Sequence, residues 1–215
     1  MRLLAITPIC VSDDEIARRQ SRYARFSPPG VNVSLQNVGT GSEIPRALDT
    51  AEDIAASEAA LVRRFGAEDG SGIDAFLPDC VLDPVVDYAD ASFERPVYGI
   101  LKLTAHYLVS QNMAFGAVAR NDAIAGELDR KLVGYRLAEK PGLTSVLGLS
   151  VEDIADDDIW AAATDTLLRT SSVDAVINGC SAVEVHALAG APALIDPTAT
   201  ALRLIGLIAA GRGER

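Results

Sequence analysis

The chain has 215 residues, 49% of them apolar and only 5% aromatic, so it is long enough for one large α/β domain or two small ones built on Ala, Val, Leu and Ile. Its formal net charge of −11 repels polyanions and argues against nucleic acid as a partner. No stretch reaches the roughly 20 apolar residues that a bilayer-spanning helix needs.

The N-terminal "RLLAIT" (2–7) reads as a buried strand rather than a signal peptide, because it runs straight into the polar "VSDDEIARRQ". Ser12 is placed to cap a helix through "SDDEIARRQSRYARF", with acidic residues in its first turn. "VNVSLQNV" (31–38) alternates as a second strand. "GTGSEIPRALDTAEDIAASEAALVRRFGAE" is a loop followed by one long or two short helices. "IDAFLP" (73–78) and "PVYGI" (96–100) are further strands, and "LKLTAHYLVSQ" is helical. "MAFGAVA" (113–119) starts a second strand-helix series. In that series "VEDIADDDIW" (151–160) is a solvated loop and helix start, with Trp160 as packing. "DAVING" (174–179) and "PALID" (192–196) are strands, and "PTATALRLIGLIAAG" closes as an apolar-faced helix. Alternation of this kind predicts parallel sheets flanked by helices.

The series repeats. "SGIDAFLPDC" (71–80) returns one hundred positions later as "SSVDAVINGC" (171–180), each phrase ending in cysteine. "RLLAITP" pairs with "MAFGAVAR", and "PVYGI" with "PALID", in the same order. Three matched pairs point to two similar half-domains. The odd count of three cysteines, with no Cys-x-x-Cys pair or Cys/His cluster, suggests a reducing, cytoplasmic setting and neither metal nor dithiol centre.

In open parallel sheets, functional groups gather beyond the carboxyl ends of strands. Cys80 and Cys180 both fall where a strand ends and a helix is expected, and a helix N-terminus lowers a thiol's pKa. Two facing half-domains would set the thiols on opposite walls of a cleft, the layout for two-base proton transfer at carbon. Against this stands the ordinary fate of a free cysteine, which packs as a small hydrophobe. That fate is the favoured one for Cys10.

"IDAFLPDCVLDPVVD", "RPVYGI", "VDAVINGCSAVEVHALAGAPALIDPTATALRLI" and "GTGSEIPRALDTAEDIAA" together resemble the aspartate/glutamate/hydantoin racemase superfamily, nearest its hydantoin racemase branch. The resemblance covers nearly the whole chain. It implies two pseudo-symmetric flavodoxin-like half-domains, residues 1–95 with 197–215 and residues 96–196, with the active site in the cleft between them. It also implies a cofactor-independent racemase or epimerase acting on a small molecule with a carboxylate or carbonyl. Cys80 and Cys180 would be its acid/base pair. The N–H groups of Val81, Leu82, Ser181 and Ala182 would cradle substrate oxygens, consistent with the preorganised donors an enolate requires.

The chain also departs from the family. The first strand's Asn-Pro-Asn-Thr turn is here "TPIC", which keeps Pro8, puts Thr7 in place of the first Asn, and leaves the substrate class open. Ala119 stands where a hydroxyl is usual, followed by Arg120, either a bidentate carboxylate clamp or a solvated arginine. Ser42 either lines the pocket or caps a helix. Asp83 either tunes the thiol or complements a helix start. Glu184 sits in the matching place after Cys180, and His186 is read as a surface or packing residue. The cis-trans isomerases and decarboxylases of small diacids on this fold, and a non-catalytic binding protein, are the alternatives; both cysteines being present argues against the decarboxylases. The low aromatic content and apolar last helix permit a homo-oligomer.

Overall fold

The computed structural model of the chain describes residues 1–68, 72–86, 93–139, 141–185, 189 and 192–213. It holds two parallel sheets flanked by helices. The first sheet contains β1 (Arg2–Ile6), β2 (Asn32–Gln36) and β3 (Ala75–Pro78), ordered β2-β1-β3. Helices α1 (Asp13–Phe26) and α2 (Ala51–Gly66) form its crossovers. The second sheet contains β4 (Phe115–Ala119), β5 (Thr144–Val146), β6 (Ala175–Asn178) and β7 (Ala193–Ile195), ordered β5-β4-β6-β7. Its crossovers include α4 (Asp122–Gly134) and α5 (Asp157–Leu168). Helices α3 (Ile100–Ser110) and α6 (Pro197–Gly213) follow the last strand of each series.

The duplication extends to register. Leu3 of β1 pairs with Ala75 of β3, and Phe115 of β4 pairs with Ala175 of β6. Both alanines are fully buried. The expected fourth strand of the first sheet, 96–100, is reduced to a single parallel bridge from Val97 to Phe76, because Ile100 already opens α3. The short strand β5 escapes sequence reading, being three residues of partly exposed edge with no buried face. The stretch after Gly39 becomes a loop and one helix, whose capping box joins Thr50 and Asp53. Ser12 caps α1 as expected, accepting from the Glu15 N–H.

The last helices cross between the halves. α3 packs against β6 and α6, and α6 packs against α1. One continuous core runs through Ala5, Leu77, Leu101, Ala105, Ala117, Ile177, Leu202 and Ile205. Alanines in the strands let the helices lie close, and the shared core fixes the carboxyl ends of β3 and β6 relative to one another. No helix among the described residues is long and apolar enough to cross a membrane.

Candidate active site

Cys80 lies two residues beyond the end of β3, and Cys180 two residues beyond the end of β6. Both line one cleft of about 70 Å³. Its walls also include Pro8, Asp79, Val81, Leu82, Arg120, Gly179, Ser181 and Ala182. Apolar side chains cover it, among them Leu48, Ile124, Val151, Ile154 and Trp160.

The cysteines do not sit at helix N-termini. Each is followed by a turn. After Cys80, Asp83 and Val85 take left-handed φ values of 50° and 60°, which bar a helix there. Asp83 instead reaches forward. Its carboxylate accepts from the N–H groups of Leu101 (2.9 Å) and Lys102 (2.7 Å) in the first turn of α3 and from the Tyr135 hydroxyl (3.0 Å). It is a helix-start carboxylate, but of a helix far along the chain. Gly99 has no side chain to obstruct that approach. Burial pushes the Asp83 carboxyl up to about 6, against the pull of those donors and of Lys131.

The thiols' acidity follows burial rather than a helix field. Burial pushes Cys80 up to about 12; the Leu82 N–H on its sulfur opposes this, while Asp79, Cys180 and Asp83 add to it. Burial also raises Cys180, but there the opposing influences are the N–H groups of Ala182 and Val183 and the charges of Arg19 and Arg22. The surroundings are therefore unequal: carboxylates bear on Cys80 and guanidinium groups on Cys180. Two of the four N–H groups expected to face substrate, those of Leu82 and Ala182, point at sulfur here.

Helix α1 supplies the cations. Arg18, Arg19, Arg22 and Arg25 lie along one face at helical spacing. Arg18 donates to the Ala182 carbonyl at 2.6 Å and Arg22 to the Val183 carbonyl at 2.6 Å. Arg22 also pairs with Asp196, and Arg25 with Glu184 at 2.5 Å. Together they hold the turn that carries Cys180. Arg19 lines the cleft, bound to Glu15 at 2.6 Å and to the buried Asp79 at 2.9 Å. The other Asp79 oxygen accepts from Tyr23 at 2.7 Å, and the Asp79 carbonyl accepts from Ser181 at 3.1 Å. This last bond ties the two cysteine turns directly together. The sequence signals missed were the arginine spacing and the Asp that stands before Cys80 where Gly stands before Cys180.

Pro8, Arg120, Val81, Leu82, Ser181 and Ala182 come together at the cleft, whereas Thr7 and Ser42 do not line it. Thr7 is fully buried; its hydroxyl donates to the Ile9 carbonyl (2.9 Å) and accepts from the Val38 N–H (3.2 Å). Ser42 is an exposed turn residue. Arg120 is buried and already engaged, with the Leu48 carbonyl at 3.1 Å and Asp49 at 2.6 Å. Trp160 packs as expected, yet in the cleft wall and with its indole nitrogen unpartnered among the described residues. Cys10 is partly exposed and lines a neighbouring chamber. His186 lies outside the described residues.

The fold recurs in solved structures. Allantoin racemase from Klebsiella pneumoniae superposes with a TM-score of 0.76 at 18% identity, over 98% of this chain and 89% of its own. Allantoin racemase from Pseudomonas fluorescens gives 0.78 at 16%, over 98% and 92%. Picrophilus torridus aspartate racemase gives 0.62 at 14%, over 97% and 94%. No curated protein sequence matches the chain. The profile of the Asp/Glu/Hydantoin racemase family matches residues 22–205, a span that contains both cysteine turns and all seven strands but the first, and the chain belongs to that family.

Proposed function

We propose that the protein is a cofactor-independent racemase or epimerase that inverts a carbon α to a carbonyl or carboxylate, on a substrate of hydantoin or amino-acid type. The observation that carries this reading is the placement of two thiols on one cleft, each from the equivalent strand end of its own sheet. The family membership and the likeness to racemase folds support it. The packing of α6 on α1 and of α3 on β6 supports a division into residues 1–95 with 197–215 and residues 96–196, with Val97 remaining on the first sheet.

In this mechanism one sulfur removes the α-proton, the electron pair moves onto the adjacent carbonyl oxygen, and the opposite thiol delivers its proton to the other face. The sulfurs then hold exchanged protonation states. The unequal surroundings favour Cys180, near Arg19 and two N–H donors, as the first thiolate and Cys80, near Asp79, as the first acid. The Leu82 and Ala182 N–H groups stabilise the thiolates, which leaves those of Val81 and Ser181 to meet the developing enolate oxygen. Arg19 and Arg120 also line the cleft, each already paired with carboxylates, Arg19 with Glu15 and Asp79 and Arg120 with Asp49, so the backbone donors carry the stabilisation of the enolate. The small cavity suits a compact reacting centre. Three free thiols support a reducing, cytoplasmic setting.

The test is α-proton exchange in D₂O, followed by NMR on hydantoins and free amino acids, with Cys80→Ser, Cys180→Ser and the double variant. Each single variant should lose racemisation while retaining exchange from one enantiomer. Wild-type exchange rates in the double variant would sink the two-thiol mechanism.

A further inference from the structure

The reacting cleft adjoins a second, larger chamber of about 490 Å³ that is half open to solvent. Ile9, Arg19, Val151, Ile154 and Ala182 line both spaces and form the neck between them. Four of these five side chains are apolar. Beyond the neck the lining turns polar and basic, with Arg18 and Arg46 beside Ser12 and Glu15. Among the described lining residues Glu15 is the one carboxylate, and both its oxygens are committed to Arg18 and Arg19. Arg46 makes no ion pair or hydrogen bond with any described residue, in a chain of net charge −11.

The loop that carries Arg46 is pinned on both sides of it. The Cys10 N–H donates to the Pro45 carbonyl at 3.2 Å. The Leu48 carbonyl accepts from Arg120 at 3.1 Å and from Asn121 at 2.9 Å. These bonds attach the loop to both halves and fix the backbone on either side of Arg46, an exposed residue that lines the chamber.

We propose that this outer chamber is the subsite for the substituent on the reacting carbon, and that it selects an alkyl chain ending in a carboxylate, held by Arg46. The inference rests on the racemase reading for the position of the reacting carbon. The apolar neck accepts methylene groups, and the unneutralised guanidinium beyond it accepts a planar anion. An uncharged end of the same shape loses that ion pair but keeps the neck contacts.

Calorimetric titration tests this with three hydantoins, those derived from glutamate, glutamine and norvaline, against wild type, Arg46→Gln and Arg46→Lys. The glutamate and glutamine compounds differ in little but charge. Wild type should bind the glutamate compound about fivefold more tightly than the glutamine compound, the worth of one half-exposed ion pair. R46Q should remove that ratio, R46K should keep most of it, and added salt should narrow it. Equal wild-type affinities, a preference that survives R46Q, or no binding of any of the three overturns the subsite. α-Proton exchange in the same samples reads the parent reaction separately. Carboxylate preference without exchange keeps the subsite and removes the racemase reading. Exchange without the preference does the reverse.

Discussion

Gly179 separates β6 from Cys180, and its lack of a side chain sets where that thiol lies. A Cβ built there lands on the Val118 carbonyl oxygen of β4 and stands 3.1 Å from the Val118 carbonyl carbon and from Leu128 Cδ1. The neighbour is backbone of a paired strand, Val118 being in register with Asn178, so it cannot swing aside. Gly179→Ala must therefore move the turn itself, by on the order of 1 Å. Misplacement of that size costs about a hundredfold in rate. Overpacking of a buried site costs about 1–3 kcal/mol, which for a chain of this length lowers Tm by roughly 2–12 °C. Gly126→Ala is the matched control: in α4 its Cβ meets nothing within 4 Å, and it should raise Tm slightly with no loss of activity. The assays are α-proton exchange and a thermal melt, with circular dichroism to establish folding. A G179A protein with wild-type Tm and exchange rate would refute the claim that contact with β4 positions Cys180.

Alkylation by iodoacetamide, mapped by mass spectrometry, should modify Cys180 before Cys80, and both faster as pH rises. Both thiols are raised, Cys80 to about 12, so their thiolate fractions grow only above the ordinary thiol range; Cys80 reacting first would contradict the assigned asymmetry. Arg19→Met leaves Asp79 buried with Tyr23 alone and should cost about 3–5 kcal/mol in denaturant unfolding. Adding Asp79→Asn should recover part of that loss, and strict additivity would show the pair is uncoupled. Asp83 titrates higher in the folded chain, at about 6, than its ordinary 3.8. The folded state therefore binds its proton more tightly, and the stability this supplies is complete below the ordinary value and lost as pH rises through about 6. The Tm difference between wild type and Asp83→Asn should shift in favour of the variant across that window. A pH-independent difference would remove Asp83 as the cause.

Much of this molecule is legible along the chain because its signals are local. β3 and β6 are fully buried runs bounded by polar residues, so their apolar composition and one-hundred-residue repeat expose them, and with them Cys80 and Cys180. The apolar run 96–100 reads as a strand, yet only Val97 bridges the sheet, because an apolar run after proline looks alike whether it makes five ladder bonds or one bridge. β5 leaves no mark in the sequence because an exposed edge carries no pattern. Pro8 and Arg120 are legible as cleft-lining positions from their place after strand ends. Thr7 sits in the same turn as Pro8, but Pro8 lines the cleft while Thr7 is buried and its hydroxyl bonds Ile9 and Val38.

The cations and the acidity were decided only by tertiary structure. A run of arginines on a first helix ordinarily describes a solvated face. Here it lies across the turn after Cys180, and its guanidinium groups find the Ala182 and Val183 carbonyls and Asp79. A thiol beyond a strand was expected to be acidified by a following helix; instead Asp83 turns away to cap α3, and the closing of two halves over the sulfurs raises them. The sequence by itself determined the duplicated strands and the pair of thiols at their ends, because strand pattern and turn placement are written in neighbouring residues. The three-dimensional packing decided which charges bear on each thiol, because those are brought with burial from segments far apart in the chain.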